Sequence, residues 1–253
     1  MSIWALADPH LAFNTPSKDM SVFGPTWQDS TQKIEKNWKT LIGPEDLVLI
    51  PGDISWASSL AEAEKDLLWL DALPGTKLLI RGNHDYWWAS NAKMTQALPP
   101  SIHFIHNTAF DWHDVTIGGT RLWDTSAYNF QEFIVFKENP RAKKELFAPL
   151  QEHDEKTFAK ELIRLRTSLQ GLNPKASLRI ALTHYPPVGA ALTPSAVSTI
   201  LEEFHIDICV FGHLHSVRPG ALPFGLARGV NYVFASADYL DFCPIQIRGP
   251  KAD

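Results

Sequence analysis

Apolar runs of strand length recur along this chain, and five of them end in a residue able to bind a metal ion. Ile3-Trp4-Ala5-Leu6-Ala7 reads as a buried strand, followed by a polar loop holding Pro16, Gly24 and Pro25. Asp29 or Ser30 is placed to cap a helix running to about Ile42, with Ile34, Trp38 and Leu41 at helical spacing and Gly43-Pro44 as the stop. Leu47-Val48-Leu49-Ile50 is the second strand and halts at Pro51-Gly52-Asp53. Ser58 or Ser59 opens a helix through Leu60, Leu67, Leu68 and Leu70, ended by Pro74-Gly75, and Lys77 to Ile80 is a third strand leading into Gly82-Asn83-His84-Asp85. Strands alternating with helices predict parallel pairing, with helices on the sheet face.

The second half repeats this pattern with interruptions. Residues 102–123 hold short strands, with Val115-Thr116-Ile117, Gly118-Gly119 and Arg121-Leu122-Trp123 as part of a hairpin. Residues 124–150 follow no period but carry Tyr128, Phe130, Phe133, Phe136 and Phe147, which suggests an insertion packed through aromatics and placed to form a lid. A helix from about Asp154 to Leu169 presents Phe158, Leu162, Leu165 and Leu169 on one face. Leu178 to Leu182 is a strand ending at Thr183-His184, Ile206 to Phe211 is another ending at Gly212-His213, and Tyr232 to Ala235 and Ile245 to Ile247 close the sequence as strands.

Composition narrows the possibilities. A chain of 253 residues, 45% hydrophobic, can bury a large core. Because the candidate ligands run from residue 8 to residue 215 with no Pro/Gly/Ser-rich linker between them, residues 1–253 are expected to form one domain. A net charge of −5 offers no basic stripe, so nucleic acid is not the expected partner. Cys209 and Cys243 read as free thiols, Asp8 and His10 already occupy the first ten residues, and no run approaches a membrane span. The expected location is the cytoplasm.

The chemistry lies at the strand ends. Asp8, His10, Asp53, Asn83, His184, His213 and His215 offer the carboxylate, imidazole and carboxamide groups that suit hard-to-borderline metal ions. Asp8 with His10, and His213 with His215, are two residues apart, and along an extended chain each pair points to a common side. Glycines before Asp53, Asn83 and His213 allow tight turns and close backbone approach. A carboxylate such as Asp53 can bridge two cations about 3.5–4 Å apart, which lower the pKa of a shared water and clamp a phosphoryl oxygen. Hydrolysis of a phosphate ester is the reaction such an arrangement suits best.

The ordered set Asp8-x-His10, Gly52-Asp53, Gly82-Asn83-His84-Asp85, His184 and Gly212-His213-x-His215 resembles the calcineurin-like metallophosphoesterase superfamily, and most closely its small bacterial-type predicted phosphohydrolases. The resemblance implies an α/β fold, a four-layer αββα sandwich of two mixed sheets flanked by helices, with two divalent ions. Manganese is placed ahead of iron, zinc or other divalent metals. One ion would take Asp8, His10, Asp53 and His215, the other Asp53, Asn83, His184 and His213. His84 matches the family's non-ligand histidine, which stabilises the transition state or protonates the leaving group. Purple acid phosphatases carry a ligand Tyr where this chain has Trp56, and indole has no lone pair to offer.

Plainer readings stand beside these. Asp85 reads first as a loop cap, ahead of a role in orienting His84, and Trp87 and Trp88 as packing, ahead of a stacking platform. Arg121 reads first as part of a structural ion pair rather than a phosphate holder. Lys160, Arg164 and Arg166 read as the solvated side of their helix, and His103, His106, His113, His153 and His205 as structural. The expected activity is hydrolysis of a small phosphomonoester, phosphodiester or nucleotide. A nuclease of the same superfamily and a catalytically silent scaffold are the alternatives, the intact His84 arguing against the scaffold.

Overall fold

Alternate residues of β2 (Leu47–Ile50) enter different cores, Leu47 and Leu49 one, Val48 and Ile50 another, which is why the strand is apolar on both faces. The computed structural model describes residues 1–135, 152–222 and 224–250. Around β2 the elements run β1 (Ile3–Ala5), α1 (Ser30–Leu41), β2, α2 (Leu60–Asp71), β3 (Thr76–Leu79), α3 (Asn91–Ala97), β4 (Ile102–Phe104), β5 (Ala109–Trp112) and β6 (Val115–Thr120). They continue with α4 (Glu152–Gln170), β7 (Leu178–Thr183), α5 (Ala196–Glu203), β8 (Ile208–Phe211), β9 (Leu226–Ala227), β10 (Val230–Phe234) and β11 (Ile245–Arg248).

Two sheets result, in the orders β11-β1-β2-β3-β4 and β5-β6-β7-β8-β10-β9. Strands β1 to β4 are parallel with β11 antiparallel at one edge; β6, β7, β8 and β10 are parallel with β5 and β9 antiparallel at the edges. Ile3, Ala5, Leu78 and Ile80 face Val115, Ile117, Ile180 and Val210 in the core between the sheets. Outside the first sheet lie Ile34 and Trp38 of α1, Leu67 and Leu70 of α2 and Met94 of α3. Outside the second lie Phe158, Leu165 and Leu169 of α4 with Val197, Ile200 and Leu201 of α5. The expected sandwich of two mixed sheets flanked by helices is thus the observed one.

Several local readings change. Ser59 caps α2 by accepting from the Glu62 amide, whereas Asp29 sits in left-handed backbone and its side chain caps nothing. Arg121-Leu122-Trp123 lie beyond β6, with Leu122 at a φ of 62°, so the hairpin is β5 with β6 alone. The short helices α3 and α5 and the strand β9 left no clear pattern in the sequence. Of the expected 124–150 insertion, residues 136–150 lie outside the described residues, including Phe136 and Phe147. Its first part docks beside the loops after His215 and His184: the Val135 amide donates to the Ser216 carbonyl at 2.8 Å, and the Tyr128 hydroxyl to the Pro186 carbonyl at 2.9 Å. Among the described residues both cysteines are free, and no helix is long and apolar enough to cross a membrane.

The two sheets are stitched together at one end. The Ala7 amide donates to the Ala235 carbonyl at 2.7 Å and the Ala237 amide to the Ala7 carbonyl at 3.0 Å, so β1 and β10 meet where both finish.

Candidate metal centre

Every ligand block follows the carboxyl end of a parallel strand: Asp8 and His10 after β1, Asp53 after β2, Asn83 and His84 after β3, His184 after β7, and His213 and His215 after β8. The chain is not extended there, contrary to the expectation for the paired residues. Asp8, His10, Asp53 and His213 have φ of 56°, 47°, 51° and 74°, left-handed values that are uncommon for residues other than glycine. The chain therefore turns at these four residues, and residues two apart need not share a direction. Asp8 and His10 still converge, but His213 and His215 part, each joining a different cluster.

Close backbone approach makes two glycines obligatory. A Cβ on Gly82 would overlap Asp53 Oδ1 and the Asp53 amide, and one on Gly212 would overlap Asp8 Oδ2. Gly82→Ala is accordingly expected to lower the unfolding free energy by about 1–3 kcal/mol, as overpacking does. It should also displace the Asp53 carboxylate, so thermal melts and metal titration should both report the change; wild-type values in both would refute this.

The first cluster joins Asp8, His10 and His215, with His10 Nε2 and His215 Nε2 3.0 Å apart. In the second, His184 Nε2 lies 2.6 Å from Asn83 Oδ1, and His213 Nδ1 lies 3.1 Å from Asn83 Oδ1 and 3.3 Å from His184 Nε2. Asp53 Oδ2 stands between them, 3.7 Å from His10 Nε2 and 3.6 Å from His184 Nε2. All seven expected ligands therefore come together in two sets, with Asp53 Oδ2 between them and Asp8 grouping with His10 and His215 on one side and with Asp53 and His184 on the other.

Partners outside the clusters orient them. Asp8 Oδ2 accepts from Ser236 Oγ at 2.6 Å and the His213 amide at 2.9 Å, leaving Oδ1 buried without a hydrogen bond, 3.7 Å from His184 Nδ1. His215 Nδ1 is 3.0 Å from Asp238 Oδ1, and Asp238 Oδ2 accepts from the Ser216 amide. Sequence reading missed Asp238 and Ser236, although they follow the end of β10 as the other ligands follow their strands. Burial works against a charge on His215, but Asp238, with Asp8 and Asp53 behind it, carries its imidazole up to about 9. Burial raises the Asp8 carboxyl and, even with His84 beside it, that of Asp53.

These donor sets fit cations. His184 Nδ1 meets the Pro51 carbonyl at 2.9 Å, which can only accept, so the proton sits on Nδ1 and Nε2 carries a lone pair. Burial keeps this imidazole neutral, its pKa down to about 3. Its lone pair faces the acceptor oxygen of Asn83, an arrangement that a positive ion satisfies. In the first cluster His10 Nε2 and His215 Nε2 face each other at 3.0 Å, two ring nitrogens that a divalent ion could take as ligands in place of their mutual contact.

His84 stands beside the clusters, its ring 5.9 Å from that of His10 and its amide donating to Asp53 Oδ1 at 2.8 Å. Trp56 stacks on His10 at 5.0 Å and reaches within 4.4 Å of His84, and Trp27, which the sequence did not single out, meets His10 and His215 edge-on. Asp85 is a loop cap: its oxygens accept from the amides of Ile54, Ser55 and Gly82 and from Trp87 Nε1. Trp87 and Trp88 are core residues. Arg121 lies over the Trp123 ring at 4.5 Å and 3.6 Å from Glu161, which Arg164 also binds at 2.6 Å, while Arg166 pairs with Glu203. His103, His106, His113, His153 and His205 join neither cluster.

Comparison with known proteins bears on the whole of this arrangement. The Gene 66 protein of Mycobacterium phage D29 is 36% identical over 84 residues, 33% of this chain and 40% of that protein, so the chain matches well under half the length of this curated relative. Among solved structures, the phosphopantetheinyl hydrolase PptH of Mycobacterium tuberculosis superposes with a TM-score of 0.53 at 15% identity, covering 99% of this chain and 98% of that one. A protein of unknown function from Aquifex aeolicus, AQ665, gives 0.49 at 15% identity, covering 97% and 95%. The model of the calcineurin-like phosphoesterase family matches residues 1–217, a span that includes every ligand block from Asp8 to His215, and the chain belongs to that family.

Proposed function

We propose that the chain is a dinuclear-metal-dependent hydrolase of small phosphomonoesters, phosphodiesters or nucleotide-type compounds. The observation that carries this reading is the position of Asp53 Oδ2 between two ligand sets, 3.7 Å from His10 Nε2 and 3.6 Å from His184 Nε2. Asp8, His10, Asp53 and His215 would hold one ion, and Asp53, Asn83, His184 and His213 the other. Bound there, the ions would bring the pKa of a water toward neutrality and offset charge on the phosphoryl oxygens.

The residues of the chain supply the rest. His84 faces the site from the side of His10, where it can give a proton to the departing oxygen or hydrogen-bond the phosphoryl group. Oxygen from water joins phosphorus, the bond from phosphorus to the leaving oxygen breaks with its electron pair, and that oxygen takes a proton. Asp238 and the Pro51 carbonyl hold His215 and His184 in the tautomers that present Nε2 inward. A net charge of −5 favours a small substrate over a long polyanion.

Elemental analysis of the purified, manganese-equilibrated protein should give two ions per chain. Chelation should abolish hydrolysis in a screen of mononucleotides, cyclic nucleotides, p-nitrophenyl phosphate and bis-p-nitrophenyl phosphate, and manganese should restore it. One ion or none at saturation would refute the dinuclear reading; cleavage of long DNA with no small ester cleaved would favour a nuclease.

A further inference from the structure

Of the three aromatic residues that follow His84 and Asp85, only Tyr86 faces outward: it is 59% exposed, while Trp87 and Trp88 are 2% and 8%. The turn that presents it is firmly held. The four N–H groups on Asp85 fix one side, and the Tyr86 amide donates to the His84 carbonyl at 2.8 Å. The Tyr86 ring stands edge-on to the His84 imidazole, 6.2 Å between centroids. On its other contact His84 meets Trp56, half-buried, at 4.4 Å. Trp56 is anchored through its backbone, its amide donating to the Leu11 carbonyl at 3.0 Å and its carbonyl accepting from Lys18 Nζ at 2.9 Å.

His84 is therefore flanked by two aromatic rings on rigid backbone, and an exposed aromatic beside a metal centre offers an apolar face to whatever the site binds. We propose that Tyr86 and Trp56 are specificity-determining residues that hold the leaving group of the ester, selecting substrates whose leaving group carries a planar ring, an aryl group or a nucleobase. This rests on the reading of the site as a phosphoesterase in which His84 attends the leaving oxygen. A ring entering beside His84 gains contact with the Tyr86 face and the open part of Trp56; an alkyl chain of equal reach gains less.

Binding of two non-hydrolysable probes to the manganese-loaded protein tests this without turnover. Phenylphosphonate should bind more tightly than methylphosphonate in the wild type, and Tyr86→Ala should lose about three- to tenfold of the phenylphosphonate affinity, the range expected for one aromatic pair. Tyr86→Phe should restore the preference, and Tyr86→Leu, which keeps bulk without the ring, should not. In turnover, the Tyr86→Ala effect should fall on KM for phenyl esters more than on KM for matched alkyl esters. Equal binding of the two phosphonates by the wild type, or an equal loss of both in Tyr86→Ala, overturns the proposal while leaving the phosphoesterase reading intact. Binding of neither phosphonate by protein that holds its metal refutes the phosphoesterase reading, and this inference with it.

Discussion

Asp53→Asn should lose both bound ions and, with them, all hydrolysis above the chelated baseline. The carboxylate contributes in two ways: Oδ1 accepts from the His84 amide at 2.8 Å, and Oδ2 stands between the two ligand sets. An amide can keep one of these roles but not both, since the oxygen that remains is neutral and the other position becomes an N–H donor facing cations. Loss of a residue that merely orients a ligand costs about 10–100-fold in metal affinity, so loss of the shared charge should exceed that range. Stability should move in the opposite direction in the metal-free protein. Burial raises the folded-state pKa of Asp53, so its contribution is favourable below the unfolded carboxylate pKa and is lost as pH rises through the folded value. That burial cost falls on the metal-free wild type at neutral pH and is absent for a neutral amide, so apo Asp53→Asn should melt at or above apo wild type. With saturating manganese the order should reverse, because only the wild type gains binding energy. Melting curves with and without metal, alongside elemental analysis, give the answer; two ions retained at wild-type affinity would exclude the shared-ligand role.

His84→Ala should do the reverse, keeping both ions while turnover falls by about 10²–10⁴-fold, the scale of general-acid and electrostatic assistance. This separation follows from the local geometry. The hydrogen bond His84 gives Asp53 comes from its backbone amide, which alanine keeps, and its imidazole belongs to neither cluster. Metal content, Tm and kcat measured on one preparation distinguish the outcomes. Unchanged kcat would remove His84 from the chemistry, and loss of an ion would make it a ligand or a support for one.

How much of this could be read without coordinates depends on whether the signal is local. The strand at 47–50 and the stretch 180–182 are apolar throughout because helices cover one face and the other sheet covers the second, and such runs are visible in one dimension. Ligand types at the ends of those runs, and glycines where carboxylates come close, are likewise written in the order of residues. Which ligand joins which cluster is not. His213 and His215 diverge because the backbone turns left-handed at His213, a conformation that surrounding contacts impose and that no spacing rule reports.

The same division explains the second layer of the site. Asp238 reaches His215 only because β10 lies parallel to β8 and brings the end of one strand beside the end of the other, a pairing between residues 23 apart in sequence. Nor does composition separate Tyr86 from Trp87 and Trp88: three aromatics in succession have similar apolar character, and only the turn fixed by Asp85 decides which one faces outward. The sequence by itself determined the layered α/β architecture and marked the candidate ligands and His84, since each depends on residue type and period along the chain. The tertiary structure alone decided which candidate ligands gather around Asp53, the contacts of Asp238 with His215 and of Ser236 with Asp8, and the exposure of Tyr86. Those depend on distances between segments remote in sequence, which local propensity does not encode.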